Sequence, residues 1–346
     1  MEFKQYQHGR RIALTVLAMV ASLALLSRAA LAETVTVDVG YLPFVTVAQL
    51  FVMDAEGWAK DAGIDLKLTK FNAGPALVQA LASGKFDATY MAVSPVVVAR
   101  AGGIDLKIVA SDGIESVSLV GNGALVDAYA KTSSPAEAFA KFHKENGRPA
   151  KIAALPKGTI PDTAIRYYLA ANKVAQEDVQ ILGQGEEQVR QSVLAKAADG
   201  ASMPEPVITI VLQKDPTAKV LANGKQLMPG HPGFVLSLRE SFIKTHPETA
   251  RKLVELNSRA TELIKNDPKR AAHDVLQYMG KGLIDEEVMV AALSSPYNPI
   301  SDDPNLLLAS TDTLQDFQLQ IGAQSKKVPT AELFDLSFYN SLKGTH

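Results

Sequence analysis

The chain has 346 residues, of which 47% are hydrophobic and 21% charged, with 35 basic against 37 acidic side chains. This length exceeds that of a usual single domain, about 100–200 residues, so two lobes are expected. The balanced charge, without any basic block, argues against a nucleic-acid partner. The absence of cysteine excludes thiol nucleophiles, thiolate metal sites and the lipid-bearing cysteine of a lipoprotein.

The first 32 residues differ in composition from the rest of the chain. Basic residues precede an uncharged apolar run, and small residues follow it up to Ala32. This order is typical of a secretory signal peptide that is cleaved after Ala32. The apolar run is shorter than the ~20 residues of a membrane-spanning helix, so an uncleaved anchor is the weaker alternative. Residues 1–32 are therefore predicted to be a signal peptide, and the protein is expected in the periplasm as an unanchored monomer.

After this leader the chain alternates between strand and helix patterns. Valine-rich alternating segments predict strands, and apolar residues at helical spacing predict helices. The elements predicted in order are the strand TVTVDVGY, the helix VTVAQLFVMDAEGWAKDAG, the strand IDLKLTKF, the helix NAGPALVQALASG, the strand KFDATYM, the helix SPVVVARAGG and the strand IDLKIVAS. Strands that alternate with helices of this length predict a doubly wound α/β sheet.

The pentapeptide Gly-Ile-Asp-Leu-Lys occurs twice, at residues 63–67 and 103–107. Two strand–helix units lie between the copies, so they are not one tandem unit, and a solenoid would need a third copy. In each copy the glycine is predicted to end a helix in the left-handed conformation, after which a strand begins. The two copies are interpreted as the same helix-to-strand connection made twice.

The α/β pattern restarts near residue 116 and ends near residue 239, after which only helices are predicted. Strands are predicted in SVSLVGNG, KIAALPKG, DVQILG, ASMP, AKVLANG and GFVLSLRE, and helices in KTSSPAEAFAKFHKENG, IPDTAIRYYLAANK, EEQVRQSVLAKAADG and PVITIVLQK. A helical tail without a sheet must pack on a lobe that already exists. The predicted organisation is two α/β lobes joined by two crossings, with lobe 1 at 33–115 plus 235–346 and lobe 2 at 116–234. A ligand cleft is expected between the lobes, at the carboxyl ends of the strands.

A search for catalytic chemistry finds no H-E-x-x-H, G-x-S-x-G or P-loop motif. The six histidines are scattered, and the acid pairs Glu186-Glu187 and Asp302-Asp303 are sequence neighbours. Neighbouring acids are predicted to be solvated, because paired-carboxylate catalysis needs two groups that converge across a cleft. No catalytic residue, metal ligand or cofactor is predicted.

Candidate ligand contacts lie where predicted strands run into helices. Free backbone N–H groups and the helix dipole make such loops suitable for an anionic group. Small or polar residues that would let a ligand approach the backbone are Asn72, Gly74, Ser94, Gly158 and Thr159. Plain N-capping is the alternative for Ser94 and Thr159.

Larger side chains at the same loops are candidates for specificity. Tyr41, Phe44 and Tyr90 lie at strand ends, where they would stack on a ligand or belong to the core. Glu205 lies between two prolines at a strand-to-helix turn and would either bind a ligand N–H or favour the helix start. His231 lies at the second crossing between the lobes, where a lid or hinge residue is expected.

The segment NAGPALVQALASGKFDATYMAVSPVVVARAGGIDLKIVAS resembles the nitrate/sulfonate/taurine-type solute-binding proteins of ABC importers, as do KIAALPKGTIPDTAIRYYLAANK, MPEPV and AELFDLSFYNSL. The resemblance implies a two-lobed fold of the periplasmic-binding-protein type (type II), each lobe a doubly wound sheet flanked by helices. It also implies a receptor without enzymatic activity that delivers a small anionic or zwitterionic solute to an inner-membrane ABC permease. It implies ligand contacts at the loops of Phe44, Gly74, Ser94, Thr159 and Glu205. The chain departs from many relatives at Pro204, where they have tryptophan, and this suggests a reshaped pocket.

Two other functions remain open from the sequence. One is an enzyme on the same fold, such as a relative of pyrimidine-precursor synthesis or a lyase, which turnover by the purified protein would reveal. The other is a ligand receptor for a membrane sensor, which would have a similar cleft but a different partner.

Overall fold

The computed structural model describes residues 34–72, 74–279 and 284–344, and the predicted signal peptide lies outside them. Within these residues ten strands form two five-stranded sheets. The first has the order β2-β1-β3-β10-β4 and contains β1 (Val35–Tyr41), β2 (Ile64–Lys70), β3 (Ala88–Ala92), β4 (Leu106–Ser111) and β10 (Phe234–Arg239). The second has the order β7-β6-β8-β5-β9 and contains β5 (Val117–Gly121), β6 (Ala150–Ala154), β7 (Val179–Gly183), β8 (Gly200–Pro204) and β9 (Lys219–Ala222). The predicted α/β fold class is confirmed.

Each sheet contains one antiparallel strand, and this strand directly follows a strand of the other sheet in the sequence: β5 follows β4, and β10 follows β9. In the first sheet β10 pairs antiparallel with β3 and β4, whereas β1 pairs parallel with β2 and β3. In the second sheet β5 pairs antiparallel with β8 and β9, whereas β6 pairs parallel with β7 and β8. The carboxyl ends of the parallel strands therefore define one functional edge in each sheet.

Helices connect and cover the strands. Among the described residues they are α1 (Ala48–Ala55), α2 (Trp58–Asp61), α3 (Gly74–Leu81), α4 (Val93–Ala101), α5 (Gly123–Ala130), α6 (Pro135–Asn146), α7 (Ile160–Ala171), α8 (Glu186–Leu194), α9 (Val207–Lys214), α10 (Gly224–Leu227), α11 (Glu240–Thr245), α12 (Pro247–Asn266), α13 (Pro268–Met279), α14 (Glu286–Leu293), α15 (Leu308–Gln320), α16 (Thr330–Leu333) and α17 (Ser337–Lys343). Short 3-10 turns occur at Val45–Val47, Gln176–Asp178 and Pro304–Leu307. In the described part of the chain no helix is both long and apolar enough to span a membrane.

The glycines of the two pentapeptide copies adopt the predicted conformation, but the strands that follow them begin at different positions. Gly63 and Gly103 have φ values of 76° and 89°, so both adopt the left-handed conformation that favours glycine. After Gly63 the strand β2 begins at once with Ile64, but after Gly103 the strand begins only at Leu106. The second start is delayed because the Leu106 amide donates to the Ile104 carbonyl oxygen and closes a tight turn.

Two helix predictions needed correction. The single helix predicted for VTVAQLFVMDAEGWAKDAG is divided, because Gly57 has a φ of 72° and separates α1 from α2. The helix α5 was not predicted, since no element was assigned between the strand SVSLVGNG and the helix KTSSPAEAFAKFHKENG. The helix α6 begins within the predicted helix KTSSPAEAFAKFHKENG, and the Ser134 hydroxyl caps it by accepting a hydrogen bond from the amide of Glu137.

The C-terminal helices bridge the two sheets. The turn at Pro304–Leu307 contacts β4, and Phe334 forms an isolated parallel bridge with Ile108 of β4. Between these two anchors, α15 packs on α7 of the second sheet, where the rings of Phe317 and Tyr167 lie 5.3 Å apart. The chain from 304 to 334 is therefore fixed to the first sheet at both ends and reaches the second sheet at its middle.

Candidate functional site

The N-terminus of α4 lies at the functional edge of the first sheet. Ser94 is in its first turn and is only 3% exposed. The amide of Val93 donates to the Gly233 carbonyl oxygen, and the ring of Phe44 lies 5.3 Å from that of Phe234, which pairs with Ala92. Phe44 is thereby placed near this helix start.

The loop before α3 reaches the same place. Gly74 begins α3, and a Cβ atom added there would lie 3.4 Å from the side chain of Pro95 in α4. Asn72 is exposed two residues earlier. The structure thus brings the predicted residues Phe44, Gly74 and Ser94 to one helix start, with Asn72 at its margin.

The N-terminus of α7 lies at the functional edge of the second sheet. Thr159 caps this helix: its hydroxyl donates to the Pro156 carbonyl oxygen at 2.8 Å and accepts from the Asp162 amide. Gly158 has a φ of 89°, and its amide donates to the Asp162 carboxylate at 3.1 Å. The capping role considered for Thr159 is present, and its hydroxyl is occupied as both donor and acceptor.

One side chain joins the two helix starts. Gln318, in α15, is 2% exposed, and its Nε2 donates to the Gly158 carbonyl oxygen at 2.9 Å. The same nitrogen lies 3.1 Å from the Ser94 Oγ and 3.0 Å from the Thr163 Oγ1. The beginnings of α4 and α7, which follow strands of different sheets, therefore converge on one amide group.

Tyr41 and Tyr90 are buried in the first sheet. They are register partners on β1 and β3. The Tyr41 ring packs edge-on against Phe51 at 5.4 Å, and the Tyr90 hydroxyl donates to the Asn257 Oδ1 at 3.0 Å. Burial raises the pKa of both phenols. The core role considered for each is therefore present, and a ligand contact stays a prediction.

Glu205 is fully buried at the start of the segment that leads into α9. One carboxylate oxygen accepts from the Thr209 amide at 2.9 Å and the other from the Thr209 hydroxyl at 3.0 Å. Burial raises the pKa of this carboxyl, and the hydrogen bonds from Ser295 and Thr209 lower it in part. Glu205 thus stabilises the helix start, which was the second role considered for it.

His231 lies in the second crossing segment and is fully buried. Its Nε2 accepts a hydrogen bond from the Val117 amide at 3.3 Å, so its Nδ1 carries the proton and donates to the Met228 carbonyl oxygen at 3.1 Å. Burial lowers the pKa of His231 to about 4. The imidazole is therefore neutral at pH 7 and ties the two crossing segments together.

The residues that sequence reasoning missed are Gln318 and Thr163. Neither belongs to a loop between a strand and a helix, because Gln318 lies inside α15 and Thr163 inside α7. A polar residue on the buried face of a helix is the only signal that would have pointed to Gln318.

The acid pair Glu186-Glu187 differs in part from its prediction. Glu186 was interpreted as solvated, but burial raises its pKa to about 7, while its neighbour Glu187 pairs with Arg190.

The cavities found elsewhere among the described residues do not coincide with the predicted ligand loops. A surface cavity of about 270 Å³ lies among Ile264, Ser295 and Asn298, and one of about 370 Å³ lies beside Asp267, Arg270 and His273. Neither cavity contains a residue of the predicted ligand loops. Across the described ranges, no group of three or more histidine, cysteine or acidic residues is arranged to hold a metal ion.

Comparison with known proteins agrees with this architecture. A protein of Bacillus subtilis (strain 168) described as binding aliphatic sulfonates is 26% identical over 307 residues, which cover 87% of this chain and 86% of that protein. The periplasmic aliphatic sulphonate-binding protein SsuA of Escherichia coli superposes with a TM-score of 0.69 at 15% identity, covering 87% of this chain and 92% of SsuA. The periplasmic nitrate-binding protein NrtA of Synechocystis PCC 6803 superposes with a TM-score of 0.62 at 17% identity, covering 88% and 92%.

The two superpositions show that the fold is that of periplasmic solute-binding proteins, and the predicted resemblance is confirmed. The sequence profile of the NMT1-like family matches residues 30–279, which is more than half of the chain. The protein therefore belongs to the NMT1-like family.

Proposed function

We propose that the protein is the periplasmic substrate-binding component of an ABC importer and that it captures a small anionic or zwitterionic solute. The observation that carries this proposal is the convergence of the α4 and α7 starts on the Gln318 amide. Helix N-termini favour anionic groups, because their first N–H groups point outward and the dipole is positive there. The relatives described as binding sulfonates and nitrate, both oxyanions, support this ligand class.

The binding site lies between two lobes, with lobe 1 at 33–115 plus 235–346 and lobe 2 at 116–234. The exchange of β5 and β10 between the sheets supports this division, because it leaves two crossing segments between them. The lobes close when a ligand contacts both at once, since only a ligand that prefers the closed form shifts the population toward it. The protein is exported after cleavage at Ala32, remains monomeric and has no enzymatic activity.

The ligand contacts are proposed at Ser94 and the surrounding loops of Phe44, Asn72 and Gly74, and at Gly158 across the cleft. Thr163 takes the place proposed for Thr159, because the Thr159 hydroxyl is already occupied by Pro156 and Asp162.

The first experiment identifies the solute. Mass spectrometry of ligand released from freshly purified protein is followed by calorimetric titration with taurine, ethanesulfonate and nitrate. Binding of at least one of these without its chemical conversion is expected. Conversion of the bound solute would instead establish an enzyme.

The second experiment tests the site with Ser94→Ala. Loss of a buried hydroxyl that contacts an anion is expected to weaken binding by about tenfold or more, while the unfolding temperature stays within a few degrees. Ser134→Ala is the matched control: it removes the cap of α6 and should lower stability by about 1 kcal/mol with no effect on affinity. Equal affinity of Ser94→Ala and wild type would refute the assignment.

The partner is tested separately. Deletion of the gene is expected to abolish uptake of the identified solute, and the purified protein is expected to capture an ABC permease from detergent-solubilised membranes. Capture of a sensor kinase with uptake intact would favour the sensory role instead.

A further inference from the structure

Gln318 has more hydrogen-bond acceptors around it than it has protons to donate. Its Nε2 carries two hydrogens and lies within 3.1 Å of three oxygens: those of Ser94, Gly158 and Thr163. The Gly158 carbonyl oxygen can only accept, so the nitrogen and not the amide oxygen must face this group. The orientation of the amide is thereby fixed by the backbone of the second sheet's helix start.

The two hydroxyl groups next to Gln318 are left with free protons. Ser94 is 3% exposed and Thr163 is fully buried. Gln318 is the only hydrogen-bond partner of either hydroxyl oxygen among the described residues. One of its two protons is directed to the Gly158 carbonyl oxygen, so the two hydroxyl oxygens share the other proton. A buried hydroxyl that accepts from an amide retains its own O–H as a donor, and such donors are normally paired in proteins.

We propose that Gln318 is a positioning residue for an oxyanion: its amide orients the Ser94 and Thr163 hydroxyls so that both donate to the ligand. This inference rests on the proposed function and narrows it to ligands that present an oxyanion group, such as a sulfonate or nitrate.

Three variants separate this role from simple packing. Gln318→Met keeps the volume and removes the amide, so the hydroxyls are no longer oriented and affinity for the best-binding member of the taurine, ethanesulfonate and nitrate panel is expected to fall about tenfold. Gln318→Glu keeps the shape but accepts the two hydroxyl protons and places a negative charge beside the ligand. Its affinity is expected to fall by more than about a hundredfold.

Gln315→Met is the matched control on the same helix. Gln315 is also fully buried, but its Nε2 donates to the Val328 carbonyl oxygen at 3.0 Å and its Oε1 accepts from the Val328 amide at 2.8 Å. Gln315→Met should lower the unfolding temperature and leave affinity within about twofold of wild type, since it touches neither hydroxyl.

The outcomes distinguish the two proposals. If wild type binds an oxyanion of the panel and Gln318→Met binds it equally well or more tightly, the role of Gln318 is overturned while the proposed function stands. If wild type binds none of the panel, the oxyanion class fails and the role of Gln318 fails with it. Weaker binding by Gln318→Met, with Gln318→Glu weaker still and Gln315→Met unchanged, supports the inference.

Discussion

The amide of Gly233 donates a hydrogen bond to the carbonyl oxygen of Gly113, 3.2 Å away, so the two segments that cross between the sheets touch through their backbones. On either side of this pair the Asp112 amide donates to the Phe234 carbonyl oxygen and the Glu115 amide to the His231 carbonyl oxygen. The crossings therefore form a short antiparallel ribbon. A change in the orientation of one sheet relative to the other must therefore bend or twist this ribbon.

Gly233→Ala is expected to disrupt the ribbon. A Cβ atom at this position would lie 2.5 Å from the Gly113 carbonyl oxygen, which is backbone and cannot rotate away. The free energy of unfolding should fall by about 2–3 kcal/mol or more, measured by urea denaturation. Gly183→Ala is the comparison, because its Cβ would meet only the Pro156 Cα at an ordinary 3.6 Å. Equal losses in the two variants would contradict the steric argument.

His231 should make the protein less stable in mild acid. Its pKa is lowered to about 4 in the folded protein, so below about pH 6.5 the unfolded chain binds a proton that the folded protein does not. Stability is expected to fall by about 3 kcal/mol as the pH drops from about 6.5 to about 4.

The measurement for His231 is the free energy of unfolding of wild type and His231→Gln between pH 7 and pH 4. The variant is expected to be less stable at pH 7, because a flexible glutamine amide does not reproduce the rigid imidazole that accepts from the Val117 amide and donates to the Met228 carbonyl oxygen at the same time. The difference should narrow toward pH 4, since only wild type pays the cost of a neutral buried imidazole. A difference that stays constant with pH would show that His231 does not titrate in this way.

Asp112→Asn is expected to stabilise the protein at neutral pH. Asp112 is 2% exposed, and within the described residues its carboxylate accepts no hydrogen bond of good geometry, only a weaker interaction with the Asn257 side chain that lowers its pKa in part. Burial raises the pKa of this carboxyl well above its usual value, so the folded state loses stability relative to the unfolded chain as the pH rises through about 4. The variant should gain about 1–3 kcal/mol relative to wild type between pH 3 and pH 7, measured by chemical denaturation. A gain that is the same at both pH values would point to packing instead.

Tyr90→Phe separates a core role from a ligand contact. The variant leaves the Asn257 Oδ1 without its donor, so the unfolding free energy should fall by about 1–3 kcal/mol. Affinity for the identified solute should be unchanged, in contrast to Ser94→Ala. Weaker binding by Tyr90→Phe would restore the ligand contact expected from sequence.

The two copies of the repeated pentapeptide provide a matched pair of aspartates. Asp105 accepts from the Arg239 Nη1 at 2.7 Å and from the Ser241 amide at 3.1 Å. Asp65, as far as the structure describes the chain, forms only an exposed ion pair with Lys67. Burial tends to raise the pKa of Asp105, but the hydrogen bonds from Arg239 and Ser241 outweigh it and lower the pKa. The stabilisation is therefore present at neutral pH and is lost as the pH falls below about 4.

Asp105→Asn is accordingly expected to cost about 1 kcal/mol at pH 7, and Asp65→Asn less than about 0.5 kcal/mol, both measured by thermal unfolding. Similar losses in the two variants would show that the returning strand β10 does not depend on Asp105.

Some residues of the candidate site were predicted from the sequence, and others were missed because they come together only through long-range contacts. Ser94 and Gly158 were predicted because strand-to-helix loops have local signatures in glycine, proline and small polar residues. Thr163 and Gln318 have no such signature. Gln318 meets Ser94 across 224 sequence positions, and no local pattern records a contact of that length.

The pentapeptide shows most clearly where local information ends. Gly63 and Gly103 adopt the same left-handed turn, because a residue without a Cβ atom leaves that conformation unstrained wherever it occurs in the chain. Alternation, helix spacing and turn residues act over a few positions, and they were enough to indicate α/β lobes and a family resemblance. The two aspartates of the pentapeptide differ in their partners for a non-local reason. Asp105 accepts a hydrogen bond from Arg239 of the distant strand β10, whereas Asp65 pairs with the nearby Lys67. Tertiary packing brings Arg239 to Asp105 and Gln318 to Ser94. Hydrogen bonds form between groups that are close in space, whatever their separation along the chain.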